Sequence, residues 1–327
     1  GNCVITATSN LDPKVSANCK IKVFKQGTPL QAVIGDENGE TWMSEIKVAE
    51  LPEYTKLSDK SLGIDFGSAT MSQDGWLYAA SLNKSSMSSD LYRLDPVTFE
   101  ATKVGPSIDA YVDLAPAPGS PGNSLMAVFG GNVLNVDATT GDYYNWYYMF
   151  SYSLVGIAYV GTQEYKYGTY DTMVDWYFVI DRMGYVYLLG FLEQDGKYYY
   201  LEHDRLAPDG IYTILDFEME TPYYGSAYFD GEMLYYSAYK QSDNKVTLMA
   251  IDVIGGTKAC YVLGVFDEGV QPVAGLMEIG NIENHIDWIL GNMNAQSTME
   301  PTAVEEKPEP KGKRAEVSEE ETVSVAA

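Results

Sequence analysis

Tyr147, Tyr165, Tyr167, Tyr170 and Trp176 are the residues of this chain best suited to meeting a ligand. An aromatic ring offers apolar area while its hydroxyl or indole N–H offers a hydrogen bond, a combination that suits sugar faces and protein surfaces alike. The chain holds 27 tyrosines, and β-propensity with packing between sheets accounts for most of them. Those within and beside the segment from Gly161 to Asp175 stand apart, because that segment interrupts a sequence repeat and is not required by the repeated core. Insertions of this kind on a rigid scaffold are where binding concentrates.

Other chemistry is sparse. Glu164, Asp171, Asp175 and Asp181 bracket the same insertion, and their oxygen atoms would suit calcium, a hard cation. No twelve-residue calcium loop accompanies them, and no other cofactor is indicated. With only two histidines in the chain, His203 and His285, His-rich metal sites and Ser-His-Asp arrangements have little material. His203, in Glu202-His203-Asp204-Arg205, reads as part of a solvated edge, and His285, in Asn284-His285-Ile286-Asp287-Trp288, as a strand residue. A sialidase would need three converging arginines and boxes of the form S-x-D-x-G-x-x-W. Ser72-Gln73-Asp74-Gly75-Trp76 is too short for such a box, and the arginines before the tail are Arg93, Arg182 and Arg205. Glycoside hydrolysis by a carboxylate pair stays open, since it depends on separations in space.

The elements that must position these residues come from internal repetition. Leu91-Tyr92-Arg93-Leu94-Asp95, Val133-Leu134-Asn135-Val136-Asp137 and Leu248-Met249-Ala250-Ile251-Asp252 each run apolar into an aspartate and then a turn. The short aspartate side chain can accept backbone N–H groups of that turn. Gly67-Ser68-Ala69 leads through Asp74-Gly75 into Trp76-Leu77-Tyr78, and Gly225-Ser226-Ala227 leads through Asp230-Gly231 into Met233-Leu234-Tyr235. Asp-Gly between two such runs is a hairpin signal. First strands begin near Gly67, Tyr111, Val155, Gly225 and Val273, at intervals of 44, 44, 70 and 48 residues. The long interval carries the insertion, of about 25 residues against a repeat of roughly 40 to 50.

Each unit holds four short strands, in the first complete one near 68–72, 76–82, 90–94 and 101–104. Repeated four-stranded antiparallel units predict an all-β fold, a β-propeller of about five blades with six as the alternative. The repeat resembles kelch and quinoprotein-like propellers. Residues 28–58 offer only three strand-like runs, 30–35, 41–48 and 54–57, while Val273 to Ile279 looks like an orphan first strand. Joining the two would complete one blade from both termini and remove two open edges. The run His285 to Leu290 is expected as another strand of that blade or the start of a sixth.

The N-terminal segment is different material. Gly1-Asn2-Cys3-Val4-Ile5-Thr6-Ala7-Thr8-Ser9 and Ala17-Asn18-Cys19-Lys20-Ile21-Lys22-Val23 resemble the last two strands of a bacterial immunoglobulin-like domain of group 2. The resemblance covers residues 1–24 and implies a slice of a longer surface protein. Cys3 and Cys19 are either bridged or reduced, and Cys260 reads as a small buried residue. The propeller is assigned 25–294. Residues 295–327 are charged, proline-bearing and aromatic-free, which predicts a disordered acidic linker.

The formal net charge is -25, of which -4 falls between Glu300 and Ala327. The rest of the chain is therefore itself acidic, which disfavours nucleic acid as a partner. No apolar run reaches the roughly 20 residues that span a bilayer. These readings point to an extracellular, monomeric module of a bacterial cell surface or secretome, binding glycan or a host or bacterial surface protein. The alternatives are a propeller hydrolase or lyase acting on carbohydrate and a purely structural spacer.

Overall fold

The computed structural model describes residues 2–8, 14, 16–22, 30–36, 38–48, 53–81, 88–109, 113–120, 122–146, 153–182, 184–195, 197–203, 225–240, 245–253, 260–266, 273–280, 282–292 and 301–303. Strands β1 (Asn2–Thr8) and β2 (Ser16–Lys22) form a separate antiparallel pair. Cys3 stands opposite Ile21 and Cys19 opposite Ile5, so the two cysteines are diagonal neighbours rather than a facing pair.

Strands β3 (Leu30–Gly35), β4 (Thr41–Ile46) and β5 (Tyr54–Lys56) follow. Blade 1 is β6 (Phe66–Met71), β7 (Leu77–Ser81), β8 (Ser88–Leu94) and β9 (Ala101–Asp109). Blade 2 is β10 (Asp113–Pro116), β11 (Ser124–Phe129), β12 (Asn132–Asp137) and β13 (Tyr143–Trp146). Blade 3 is β14 (Leu154–Tyr167), β15 (Tyr170–Asp181), β16 (Val186–Gln194) and β17 (Lys197–His203). Blade 4 is β18 (Gly225–Phe229), β19 (Leu234–Lys240), β20 (Lys245–Ile251) and β21 (Cys260–Phe266). Strand β22 (Val273–Met277) lies against β3, giving blade 5 the order β22-β3-β4-β5.

Five blades make five interfaces, and the buried apolar residues fall into five clusters, one per interface. Tyr78 and Leu91 meet Leu114 and Leu125 between blades 1 and 2. Met126 and Val128 meet Ile157 and Tyr177 between 2 and 3. Phe178 and Ile180 meet Phe229 and Tyr236 between 3 and 4, Tyr235 and Leu248 meet Leu30 and Ile34 between 4 and 5, and Val33 and Met43 meet Phe66 and Leu77 between 5 and 1. At Gly275 two conditions coincide: φ is +63°, and a Cβ would run into Ala69 of blade 1. Only glycine satisfies both.

The recurring aspartates act as turn formers. Asp95 Oδ1 accepts from the N–H groups of Val97 and Thr98, both at 2.8 Å, and Asp137 Oδ1 from those of Thr139 and Thr140 at 2.7 and 3.2 Å. In each turn the fourth residue on, Phe99 or Gly141, has positive φ (58° and 75°) and returns its N–H to the aspartate carbonyl at 2.8 Å. Blade 1 thus spends a left-handed phenylalanine, a conformation costing roughly 1–2 kcal/mol, to bury that ring where blade 2 uses glycine. The Asp-Gly hairpins place Gly75 and Gly231 at φ of 83° and 91°.

Two expectations need correction. The insertion is a continuation of strands, not a loop: β14 and β15 run 14 and 12 residues and pair as far as Tyr167 opposite Tyr170. Residues 286–292 form a helix, α1 (Ile286–Asn292), where a strand was expected. Asn284 Oδ1 accepts from the Ile286 N–H at 3.3 Å as the helix begins, and Ile286, Ile289 and Leu290 recur at helical spacing. All three are buried in the cluster that also holds Tyr165, Val174 and Trp176. The helix is thus what covers the extended hairpin. A two-residue strand β23 (Thr302–Ala303) pairs with β17 inside the segment read as linker; residues 304–327 lie outside the described residues.

Candidate functional site

The innermost strand of every blade contributes to one pocket. Its wall contains Thr70 and Met71 of β6, Leu114 to Pro116 of β10, Ile157 to Tyr159 of β14, Ala227 to Phe229 of β18, and Leu276 and Met277 of β22. Glu278, Ile282 and Glu283 complete it from the segment after β22. These five strands surround the ring axis, so the cavity, about 450 Å³ including its open mouth, is the end of the axial channel.

Its floor is apolar and its rim is not. Tyr228 donates its hydroxyl to Glu278 Oε2 at 3.1 Å, which fixes both side chains at the mouth. Burial, then the negative charge of Glu278, drives the Tyr228 hydroxyl well above the usual tyrosine range, with further contributions from Asp230 and Glu283. His285 Nε2 lies 3.1 Å from Glu283 Oε2, and its ring stands edge-on to Phe229 at 5.6 Å. Opposite, the Tyr159 and Thr162 hydroxyls are 2.7 Å apart. No lysine or arginine is among the described lining residues.

Beneath the floor, Asp113 binds three blades together. Its Oδ2 accepts from Ile157 N–H of blade 3 at 3.0 Å and from Ala227 N–H of blade 4 at 2.9 Å. Ser226 Oγ extends the chain of contacts by accepting from Leu276 N–H of blade 5 at 2.8 Å. Asp113 is wholly buried, and Oδ1 makes no hydrogen bond although the Ser226 hydroxyl is near the same carboxyl. Burial drives the Asp113 acid well above the usual carboxylate range.

Asp175 forms a second buried carboxyl between blades 2 and 3. It accepts from Gly119 N–H at 2.8 Å, from the Ser120 hydroxyl at 3.4 Å and from the Thr162 hydroxyl. Burial outweighs these donors and pushes its pKa up to about 6. The protonated form is therefore favoured by folding. Its contribution is complete below the unfolded value near 4 and disappears as pH rises through about 6, an expected loss of about 3 kcal/mol. Denaturant midpoints at pH 4.5 and 7.5 should differ by less in Asp175→Asn than in the parent. Equal pH dependence in the two chains would remove Asp175 from this account.

Of the aromatic residues expected at the ligand, Tyr165 and Trp176 do not lie at a surface. Tyr165 and Trp176 are buried, 5% and 1% exposed, within the core between blades 3 and 4. Tyr170 is half-buried, its ring edge-on to Tyr199 at 5.0 Å. Tyr167 lies in β14 with its side chain outside the described residues, as is all of Tyr147. The four carboxylates considered for calcium are dispersed among protein partners: Glu164 and Asp171 face Lys166, Asp175 faces blade 2, and Asp181 accepts from Tyr185 N–H and the Tyr187 hydroxyl. Among the described residues no group of three His, Cys, Asp or Glu could hold a metal ion. Arg93 lies over the Trp76 ring at 4.4 Å, and Arg205 is outside the described residues. Cys260 is half-buried, and desolvation pushes its thiol up to about 12.

Comparison with known proteins assigns the chain to no family. No family model matches the chain, and no curated protein matches it. Solved structures that match include a proposed 6-phosphogluconolactonase of Bacteroides uniformis, 14% identical over 75% of this chain and 85% of that one, TM-score 0.36. A second, from Bacteroides fragilis, is 10% identical over 88% and 98%, TM-score 0.34. The WD40 domain of SCAP from fission yeast is 9% identical over 84% and 75%, TM-score 0.24.

Proposed function

We propose that the chain is a carbohydrate-binding module whose site is the mouth of the axial channel. The observation that carries this is the pocket itself, an apolar floor built from all five innermost strands under a rim of Tyr159, Tyr228, Glu278 and Glu283. A pyranose ring presents apolar C–H faces and hydroxyl edges, which match such a floor and rim. The extended hairpin adds to the same mouth: eight residues separate Tyr159 at the pocket from Tyr167 at the hairpin end, roughly 25 Å of strand. Tyr170, with Tyr167 and Tyr147, belongs to the proposal as a further contact surface for a longer glycan.

Catalysis is the second reading. Glu278 and Glu283 are the acidic residues among the described lining, and a carboxylate pair is what glycoside hydrolysis uses, while no serine, cysteine, histidine or lysine accompanies them for other hydrolytic chemistry. A phosphorylated sugar would meet two carboxylates with no cation to receive it. The adhesive, extracellular and monomeric setting, and the immunoglobulin-like origin of β1 and β2, remain parts of the proposal; the antiparallel pairing of those two strands supports the last.

Calorimetric titration against a panel of neutral mono- and disaccharides tests the reading. Tyr228→Ala should weaken the best ligand by about tenfold, the loss of one aromatic contact, with the fold checked by circular dichroism because the ring also packs against the core between blades 4 and 5. Unchanged affinity with an intact fold would move the site elsewhere.

A further inference from the structure

The charge at the mouth narrows the ligand class. Glu278 and Glu283 both face the pocket, while its described lining contains no lysine, arginine or histidine. Glu278 receives a hydrogen bond from Tyr228, a neutral donor, so its charge is oriented but not cancelled. Asp230 adds to the field, since both Tyr228 and Tyr235 are raised by its charge in addition to burial. His285 borders this region, with Nε2 against Glu283.

The two tyrosines sharpen the preference. Tyr228 directs its hydroxyl to Glu278, and the Tyr159 hydroxyl is engaged with Thr162. Both rings line the pocket beside the carboxylates, and an aromatic ring so placed adds to the attraction for a cation. Resting on the reading of the axial mouth as a binding site, we infer that the pocket selects ligands bearing a protonated amine on an apolar or hydroxylated carbon frame. An amino sugar and a simple diamine share that chemistry, and titration separates them.

The probes are glucosamine, its neutral counterpart N-acetylglucosamine, and putrescine, each titrated calorimetrically into the full chain. Glucosamine should bind about tenfold more tightly than N-acetylglucosamine, and raising the salt should weaken it selectively because charge attraction is screened. Glu278→Gln should cost glucosamine about tenfold and leave N-acetylglucosamine unchanged. Glu283→Gln, at a side chain 51% exposed, keeps the test valid if the first variant does not fold, and should lower glucosamine affinity in the same direction. Putrescine equal to glucosamine would support the amine and exclude a role for the sugar ring. N-acetylglucosamine equal to glucosamine would overturn the amine preference while leaving the binding site standing. If none of the three binds and the neutral panel fails as well, both readings fall.

Discussion

A chain ending at residue 272 should show no cooperative unfolding transition. It lacks β22, and with it Leu276 and Met277, which are 4% and 3% exposed, and α1, whose Ile286, Ile289 and Leu290 are buried against the extended hairpin. Burying five such side chains stabilises by roughly 10 kcal/mol at 1.5–3 kcal/mol each. Domains are typically stable by about 5–15 kcal/mol in total. The truncation would also leave β3 with a bare edge in the middle of the ring, where β22 now supplies backbone partners to Val33 and Ile34. Such an edge templates aggregation. Circular dichroism during heating is the measurement, and a transition at the temperature of the full chain would show that the ring stands without its returning strand.

The second large effect is expected at Asp113. Asp113→Ala leaves the N–H groups of Ile157 and Ala227 without their acceptor in a fully buried site. Each orphaned group costs about 1–3 kcal/mol. For a domain of this size the sum corresponds to a melting temperature lower by roughly 10 °C. Asp113→Asn keeps an acceptor oxygen for both donors. It should recover most of the loss, because burial raises the Asp113 acid toward the uncharged form that an amide resembles. If Asn proves as damaging as Ala, the acceptor role is wrong.

The blades were readable in the sequence because each is local. A run of about forty residues carries its own hairpin aspartates, and Asp95 and Asp137 act within their own turns. Helix α1 was misread because a short apolar run such as Ile286 to Leu290 fits either period. The hairpin was taken for a loop because its cover, α1, lies more than a hundred residues downstream in the sequence. Tyr165 and Trp176 consequently belong to the core instead of an exposed surface. The rim was invisible for the same kind of reason: Tyr159, Tyr228, Glu278 and Glu283 come from three distant segments, and no spacing relates them. One signal was available. The repeated Gly-Ser-Ala at 67–69 and 225–227 falls on two innermost strands; at the second copy Ser226 Oγ takes the backbone N–H of the next blade, whereas Ser68 Oγ at the first has no such partner among the described residues. Asp113 takes the Ile157 N–H of its own next blade in the same way, so an acid stands where those two repeats carry serine.

The antiparallel pairing of β22 with β3 has a mechanical consequence. In that ladder Met277 stands opposite Gln31 and Val273 opposite Ile34. The chain therefore enters β3 and leaves β22 at the same end. Tension on the two flanks of the ring would first peel the two-residue pairing of β23 from β17 and then α1 from the hairpin. The remaining force would reach the ladder at its Met277 end and open its hydrogen bonds one after another, as a zipper opens, instead of shearing them together. A ring closed this way resists heat through five packed interfaces, yet yields to pulling at low force.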